Sequence, residues 1–540
     1  MSKIIIYQIF TRLYGNKNQT RKPGGTIEEN GCGKLNAFTP TVLKQIREMG
    51  FSHVWYTGVI RHATMTDYSR YDIPRQHPAV VKGRAGSPYA ITDYYDIDPD
   101  LATNVEKRME EFEKLVARTH RAGLKVIIDF VPNHVARQYH SICKPDGVRD
   151  LGQDDDINMG FAPATNNFYY CPGQPFTPYF DLYHGETEPY TEYPAKATGN
   201  DHFDNAPGCN DWYETVKLNY GVDYYAGGIG HFDPIPDTWH KMLHILLFWA
   251  GKGIDGFRCD MAEMVPAEFW TWATCQVRQQ YPDLLFIGEV YNPDLYRRYL
   301  ASGFDYLYDK VGMYDAMRDV VCHRRNTEAI SWAWQQTDDI GTHMLYFLEN
   351  HDEQRLASDF FAASGEKGVP ALVVNALMQQ NPFMVYFGQE WGERGMDQEG
   401  FSGHDGRTTI FDYWALEKPS SVGEQLVEVY KKVLNIAQTE KAVGEGLMFD
   451  LMYVNQQYSR QYAFLRGKGK ELLLVVANFD DEPLTMEVTI PAHAFDYLGI
   501  KERKVKATNL LTGDKLPLEL KCDASVSLQL EPRNALVLKF

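Results

Sequence analysis

The sequence predicts an α/β fold, a (β/α)8 TIM barrel with an inserted subdomain after the third strand and a C-terminal antiparallel β-sandwich. Three observations predict it. Short apolar runs alternate eight times with helix-like segments, a long polar stretch interrupts that alternation, and the last part of the chain changes to period-two patterning. The predicted domains are residues 1–134 and 235–440 for the barrel, 135–234 for the insert and 441–540 for the sandwich.

The eight apolar runs are the predicted barrel strands. Their nearly continuous apolar character is typical of parallel strands that are covered on both faces. Eight strand–helix alternations favour a closed barrel. The helical segments 41–50 and 105–123 each end in the glycine expected just past a helix. In chain order the runs are KIIIYQIF, FSHVWYTGV, LKVIIDFVPNH, IDGFRCD, LLFIGEV, FDYLYD, HMLYFLENHD and PFMVYFGQE.

The polar stretch follows the third run. Residues 135–234 are rich in Asp, Asn, Gly, Pro and Tyr, and they show little periodic pattern. A loop longer than about 15 residues inside a compact domain is usually functional. We therefore expect a subdomain that covers one end of the barrel.

The C-terminal part contains several short runs of alternating pattern. Val526, Leu528 and Leu530 alternate with Ser527 and Gln529, and similar segments precede and follow them. Period-two alternation with short turns predicts antiparallel strands, one face of which is buried. The expected arrangement is a β-sandwich.

Composition and charge limit the partners. The chain has 54 Lys and Arg against 72 Asp and Glu, a net charge of −18, which disfavours nucleic acid or an anionic membrane as partner. The eight cysteines are dispersed without a CxxC pair, which favours reduced thiols over disulfides or a zinc site. The apolar start is too short and interrupted for a signal sequence, so we expect a cytoplasmic protein. The oligomeric state is not indicated.

The segment GIDGFRCDMAE places an arginine and an aspartate two residues apart at the end of a predicted strand. Arg258 and Asp260 therefore project to the same side, and at the C-terminal end of a barrel strand that side is the expected active-site mouth. A guanidinium beside Asp260 is expected to depress the pKa of the carboxyl and keep it ionised. The alternative is a buried ion pair that only joins two strands.

Four of the predicted strands end in related polar clusters. Several acidic groups at one mouth repel each other and cost stability, so their coincidence favours a functional site. The clusters are Asp129, Asn133 and His134 at the end of the third run, Asp260 at the end of the fourth, Glu289 at the end of the fifth, and Asn350, His351 and Asp352 at the end of the seventh.

Two chemistries suit these residues. A metal hydrolase would use the carboxylates and histidines as ligands. A glycosidase would use one carboxylate as nucleophile, a protonated one as acid and a third to stabilise the oxocarbenium-like transition state. The apolar neighbours of Glu289 in IGEVY favour its protonated form, while Arg258 favours ionised Asp260. This contrast indicates an acid and a nucleophile.

The same residues carry a family resemblance. DFVPNH (129–134), GFRCD (256–260), GEVY (288–291) and FLENHD (347–352) resemble, in order and spacing, the four short motifs of the α-amylase superfamily, glycoside hydrolase family 13. YQIF resembles the family's first strand, MVYFGQEWGE its eighth, and SPYAITDYYDID the segment after its second. The insert would then be domain B and the sandwich domain C.

The resemblance implies a role for each matching residue. Asp260 would be the nucleophile, Glu289 the general acid/base and Asp352 the third, assisting carboxylate. Asp129 would be the structural acid beside the arginine. The residues implied to hold the sugar are Tyr89, His134, Arg258 and His351.

The resemblance also implies a structural Ca²⁺ at Asn133, shared with the insert, and no organic cofactor. Many members of the family have lysine and histidine at the third and fourth places after the nucleophile, where this chain has Glu263 and Met264. The histidine of those members supplies a carbonyl to calcium. The departure therefore bears on the calcium site and on the leaving-group side of the cleft.

The implied function is a retaining α-glycoside hydrolase that cleaves α-glucosidic bonds of starch-type or maltooligosaccharide substrates through a covalent glycosyl-enzyme on Asp260. A glucanotransferase on the same scaffold is an alternative, because water and sugar acceptors would share every catalytic residue. A second alternative is a non-catalytic amylase-like sugar-binding module, which would be expected to have lost one or more of the carboxylates. The sequence leaves open the α-1,4 or α-1,6 linkage and endo or exo action.

Overall fold

A closed barrel of eight parallel strands forms the centre of the molecule. The computed structural model describes residues 3–182, 188–399 and 405–540. Neighbouring strands in the barrel follow chain order, and the eighth pairs with the first. All eight predicted runs form these strands, so the barrel prediction is confirmed. The strands are β1 Ile5–Phe10, β2 His53–Thr57, β3 Lys125–Phe130, β4 Gly256–Cys259, β5 Leu285–Gly288, β6 Tyr306–Tyr308, β7 Met344–Phe347 and β8 Phe383–Tyr386.

Burial explains why the barrel strands do not alternate. Every residue of β1, β2, β4, β7 and β8 is buried, because side chains face either the barrel interior or the surrounding helices. Lys125 at the start of β3 is exposed, at the end opposite the polar clusters. Most residues of these five strands are therefore apolar on both faces.

Helices surround the barrel. The helix Pro40–Glu48 begins after Thr39, whose side chain accepts a hydrogen bond from the Val42 amide at 3.3 Å. Its terminating glycine, Gly50, has φ +108° in the region that favours glycine, as predicted. The other helices of seven or more residues in the barrel layer are Arg108–Arg121, Asp237–Gly251, Ala267–Gln280, Asp315–Val321, Glu328–Gln336, Val369–Leu377 and Ser421–Thr439. Shorter ones are Ile27–Asn30, Tyr296–Ala301 and Lys441–Gly444.

The segment between β3 and Asp237–Gly251 consists of short strand pairs and loops. His134–Ala136 pairs antiparallel with Thr215–Lys217, in a register that places His134 opposite Lys217. This pair extends β3 into the insert. Two smaller pairs are Tyr170–Cys171 with Ala195–Lys196, and Val222–Asp223 with Ile229–Gly230. The domain boundaries stay predictions.

The C-terminal part forms antiparallel sheets, in agreement with the predicted fold class. Val526, Leu528 and Leu530 are buried in their strand whereas Ser527 and Gln529 are exposed, as the alternation predicted. One sheet has six strands and a second has two. The strands are β9 Leu447–Asp450, β10 Gln461–Lys468, β11 Glu471–Asn478, β12 Leu484–Ile490, β13 Arg503–Asn509, β14 Lys515–Leu520, β15 Ala524–Leu530 and β16 Ala535–Lys539, with the helix Ala492–Leu498 after β12. In the larger sheet the order is β9-β10-β11-β16-β13-β14, and β12 pairs with β15.

Two further features of the molecule are the state of its cysteines and the apolar character of its helices. All eight cysteines are free thiols. Over the described ranges, no helix combines the length and the apolar character needed to cross a membrane.

Candidate active site

The polar clusters meet at the C-terminal mouth of the barrel. Asp260 directly follows β4, and Glu289 directly follows β5. The strand pairing continues past both strand ends, since the Asp260 amide donates to the Phe130 carbonyl at 2.9 Å and the Glu289 amide donates to the Cys259 carbonyl at 3.1 Å. The two carboxylates are therefore fixed by the barrel backbone itself.

Arg258 lies between these two carboxylates. Its Nη1 is 2.7 Å from Oδ1 of Asp260, and its Nη2 is 2.8 Å from Oε1 of Glu289. The arginine faces the site, as the strand periodicity predicted. Its guanidinium carbon lies 5.3 to 5.5 Å from the ring centroids of three aromatic residues, which are Trp55, Tyr89 and Tyr308. The three rings and the two carboxylates together fix the orientation of the guanidinium.

Glu289 is surrounded by donors, contrary to the expectation of apolar neighbours. Its Oε1 accepts from the Tyr291 hydroxyl at 3.0 Å, and its Oε2 accepts from the Met261 amide at 2.7 Å. Met261 adopts the left-handed conformation, with φ +44°, that L residues seldom occupy. The apolar neighbours in sequence, Ile287 and Val290, belong to the core instead. Adjacent residues at a strand end face different surroundings, so the sequence neighbourhood did not describe the carboxylate's environment.

Burial dominates the protonation of Asp260. Burial raises the pKa of the Asp260 carboxyl well above its ordinary value, and the negative charges of Glu289 and Asp352 raise it further. Arg258 lowers the pKa but does not compensate. The expectation that Arg258 depresses this pKa is therefore wrong in its net direction. The cleft buries its acidic groups close together, and one guanidinium does not neutralise all of them.

His351 and Tyr89 form one wall of the site. Their rings stack with centroids 5.2 Å apart, and Tyr89 Oη lies 2.6 Å from His351 Nε2. The amide nitrogen of Gln8 donates to His351 Nδ1 at 2.8 Å, which places the imidazole proton on Nε2. Burial and then the charge of Arg258 lower the pKa of His351, so the ring is neutral.

Asp352 lies on the open side of the site. Its side chain keeps 37% of its accessible surface, and Oδ2 is 3.1 Å from His351 Nε2. The Asn350 side chain accepts from the backbone amides of Asp352 and Glu353, each at 2.9 Å, and this holds the turn after β7. The third predicted carboxylate therefore lies beside the predicted sugar-binding histidine.

Asp129 lies within β3, opposite Arg258 in the strand pairing, whereas Asp260 and Glu289 follow the ends of their strands. Its Oδ2 accepts from the Trp55 indole and from the Gly58 amide, each at 3.1 Å, and its Oδ1 accepts from the Tyr89 hydroxyl at 3.3 Å. Burial raises the pKa of Asp129 to about 6. The Asp129 carboxylate thereby orients Trp55 and Tyr89, two of the rings around Arg258.

His134 borders the site from the side of the insert. Its ring centroid is 5.3 Å from that of Trp212. Nδ2 of Asn133 donates to His134 Nδ1 at 3.1 Å, so Nε2 carries the proton of the neutral ring. Burial and then the charge of Lys217 lower the pKa of His134 to about 3.

The residues around Asn133 do not fit a bound calcium ion. Asn133 Oδ1 accepts from the Lys217 ammonium at 2.5 Å, and Lys217 Nζ also lies 2.6 Å from Asp201 Oδ1. The oxygens that would bind the metal are thus already occupied by a positive charge. Calcium needs six to eight oxygen ligands, and here the oxygens of Asn133 and Asp201 are bound to the lysine instead.

Another group of possible metal ligands, after β2, is neutralised by two arginines. Ligand atoms of Asp93, Asp96 and Cys143 lie within 4.8 Å of one another. Arg61 lies 3.4 Å from Asp93 and 3.3 Å from Asp96, and Arg108 lies 2.7 Å from Asp96. This cluster is an ion-pair network that holds the segment after β2.

Sequence reasoning missed several residues of the site. Gln8 is a polar residue inside an apolar strand run, and Lys217 is a lone lysine in VKLNY, so each gave a weak signal. Trp55 and Tyr308 resembled ordinary core aromatics. Tyr291 is held by Glu263, whose Oε2 accepts from the Tyr291 amide at 3.2 Å. The residue that departs from the family pattern therefore supports a partner of Glu289.

Comparison with known families gives one match across most of the chain. The family model described as Alpha amylase, catalytic domain, matches residues 8–413. Alpha-amylase 3 of Dictyoglomus thermophilum is 23% identical over 459 residues, which cover 79% of this chain and 81% of that protein. A cyclomaltodextrinase of a Bacillus species is 23% identical over 536 residues, covering 92% of this chain and 76% of that protein.

Solved structures show the same fold. A maltogenic α-amylase from Thermotoga neapolitana superposes with a TM-score of 0.64 at 21% identity, covering 99% of this chain and 98% of that one. An α-amylase from Geobacillus thermoleovorans, solved in complex with acarbose, gives 0.66 at 20% identity with the same coverage. At these identities the likeness concerns the fold.

Proposed function

The chain belongs to the α-amylase family, and from that premise we propose that it cleaves α-glucosidic bonds of starch-type or maltooligosaccharide substrates with retention of configuration. The observation that carries the proposal is the pair of carboxylates bound by one guanidinium, Asp260 and Glu289 on Arg258. Retaining glycosidases need two carboxyl groups close together, one as nucleophile and one as acid. Relatives named as an α-amylase and a cyclomaltodextrinase support the substrate class.

The reaction follows from the two carboxylates. An Asp260 oxygen attacks the anomeric carbon while Glu289 gives its proton to the glycosidic oxygen, so that the leaving sugar departs as an alcohol. The product of this step is a covalent glycosyl ester on Asp260. Glu289, now ionised, takes a proton from water, and the resulting attack on the anomeric carbon releases Asp260. The free Asp260 and the protonated Glu289 are thereby restored.

The remaining predicted residues would hold the sugar. Tyr89 offers a ring face for stacking, and Asp352 offers a carboxylate to hydroxyl groups. Burial lowers the pKa of both His134 and His351, so these rings are neutral and add no positive charge beside an oxocarbenium-like transition state. Asp352 and the nucleophile supply the negative charge that such a transition state requires.

Two alternatives to a hydrolase are a glucanotransferase, in which a sugar replaces water as the acceptor, and a sugar-binding module without catalytic activity. A glucanotransferase would use the same residues and pass the glycosyl group to a sugar, and the geometry is compatible with it. A non-catalytic sugar-binding module is disfavoured because Asp260, Glu289 and Asp352 are all present at the mouth. A cytoplasmic location and the absence of nucleic-acid or membrane partners remain proposals that rest on the net charge of −18 and the dispersed cysteines.

Product analysis on maltoheptaose tests the proposal. Proton NMR during the first turnovers should show the α-anomer of the new reducing end, because two displacements retain configuration. Appearance of the β-anomer first would mean inversion and would contradict the mechanism. Chains longer than maltoheptaose would identify a transferase. The trisaccharide released from pullulan identifies the linkage, because α-1,6 cleavage gives maltotriose whereas α-1,4 cleavage gives panose or isopanose.

A further inference from the structure

Lys217 is a buried ammonium at the junction of the barrel and the insert. The residue is 2% exposed and ends the short strand Thr215–Lys217, which pairs with His134–Ala136. Its Nζ lies 2.5 Å from Asn133 Oδ1 and 2.6 Å from Asp201 Oδ1. The Met264 carbonyl is 3.4 Å away. The ammonium thus faces one amide, one carboxylate and one peptide carbonyl.

These oxygens come from separate parts of the chain. Asn133 follows β3, Asp201 belongs to the insert, and Met264 lies after β4 and the nucleophile. Oxygens of these three kinds, converging from two structural units, are what a Ca²⁺ ion would bring together. We propose that the Lys217 ammonium takes the place of a structural metal ion at this junction, so that the cleft keeps its geometry without Ca²⁺.

The chemistry of the two cations supports the replacement. An ammonium carries three donors and no acceptor, and three oxygens lie around Nζ. A divalent ion at the same position would require six to eight oxygens and would be repelled by the lysine charge. The ring of Tyr224, with its centroid 5.3 Å from Nζ, covers another side of the ammonium with a π face instead of an oxygen ligand.

The junction is also connected to His134, one of the residues proposed to hold the sugar. Asn133 accepts from Lys217 through Oδ1, and through Nδ2 it donates to His134 Nδ1 at 3.1 Å and to the Gly199 carbonyl at 2.7 Å. Lys217 therefore fixes which way the Asn133 amide points, and that orientation fixes the His134 tautomer. In this respect Lys217 is a positioning residue for His134.

Thermal unfolding and metal analysis of the purified protein test the proposal independently of catalysis. After dialysis against EDTA, the protein should contain no calcium and should unfold at the same Tm with or without added CaCl2. If CaCl2 raises the Tm, the same measurement on Asp201→Asn decides the matter. An equal rise in the variant means that calcium binds elsewhere and supports the proposal, whereas loss of the rise means that Asp201 binds calcium and overturns it.

Substitution of the lysine gives the second test. Lys217→Met keeps the aliphatic stem but removes the ammonium, so the Tm should fall by several degrees in EDTA and in CaCl2 alike. Lys144→Met, in the same insert but outside this cluster, is the control and should unfold like the wild type. A wild-type Tm in Lys217→Met would overturn the proposal. If that variant does not fold, Asp201→Asn takes its place, with the same lowered Tm expected.

The positioning role has its own readout. Measured well below the Tm, Lys217→Met should show a higher KM for maltooligosaccharides, with His134 no longer held by Asn133, while Lys144→Met should not. An unchanged KM and kcat in a folded Lys217→Met would contradict the positioning of His134 through Asn133. Failure of the proposed glycosidase function would leave the Tm and calcium results unaffected, so the two proposals can fail separately.

Discussion

Nη2 of Arg258 lies 2.8 Å from Oε1 of Glu289, while Nη1 of the same guanidinium lies 2.7 Å from Oδ1 of Asp260. The two carboxylates end adjacent barrel strands and share a single cation. The arginine is 1% exposed and surrounded by rings, so it cannot move away from either partner. The proposed nucleophile and the proposed acid are therefore held at a fixed separation by the barrel strands and by one buried guanidinium.

Asp260→Asn should abolish turnover without unfolding the protein. An amide does not form the glycosyl ester, so kcat on maltoheptaose should fall by at least about a thousandfold. Because burial disfavours the ionised carboxyl, the neutral amide should not lower the Tm at neutral pH. Asp283→Asn, at an exposed position before β5, is the matched control and should keep wild-type activity. Substantial residual activity in Asp260→Asn would remove this residue from the nucleophile role.

Glu289→Gln should distinguish substrates by their leaving groups. Loss of a general acid costs about a hundred- to ten-thousandfold when the leaving group needs a proton. Glycosyl formation from α-maltosyl fluoride should be affected much less, because fluoride departs with little protonation. First-turnover rates of fluoride release and of maltoheptaose cleavage measure the difference, because later turnovers also need Glu289 as the base of the second displacement. Equal losses on both substrates would show that Glu289 does not act as the acid.

The pH dependence of kcat/KM should reflect the raised pKa of Asp260. The nucleophile must be ionised, so activity is lost as pH falls through that pKa. Since burial and two neighbouring carboxylates raise it above the ordinary value of 3.8, the acid limb should lie at a higher pH than that. The limb belongs to the interacting carboxylates as a group. An acid limb at or below the ordinary aspartate value, with the protein shown to stay folded, would contradict the burial argument.

Glu390→Gln should change the pH dependence of stability. Burial raises the pKa of Glu390 from 4.5 to about 7, and the carboxyl accepts from the Tyr7 hydroxyl. Between these values the folded protein holds a proton that the unfolded chain has lost, so the contribution of Glu390 to stability disappears as pH rises. Glutamine does not titrate. The Tm of the variant minus that of the wild type should therefore increase from about pH 5 to about pH 8, and a constant difference would contradict it.

The barrel could be predicted because its strands are short apolar runs in regular alternation with helices. The positions of Asp260 and Glu289 followed from the same reasoning, since parallel strands end at a common mouth. Arg258 could be assigned to the site because residues two apart in a strand face one side. These are local properties of the chain.

What could not be predicted depends on contacts between distant segments. The donors around Glu289 come from a backbone turn at Met261 and from Tyr291, which adjacent sequence does not reveal. The net pKa shift of Asp260 depends on how closely three carboxylates approach and on how little water reaches them. Lys217 meets Asn133 only because the insert returns to pair with the end of β3. The expectation of calcium at Asn133 came from the family resemblance, which does not reveal that pairing, and it stays a prediction.

Covalent trapping tests the central claim most directly. A 2-deoxy-2,2-difluoro-α-glycoside with a good leaving group slows the second displacement, so the glycosyl-enzyme should accumulate. Mass spectrometry of the intact protein should show one added sugar, and peptide mapping should place it on Asp260, in the segment GFRCD. The adduct should be absent from Asp260→Asn. A sugar attached to another residue, or release of the β-anomer with no adduct formed, would contradict retention through Asp260.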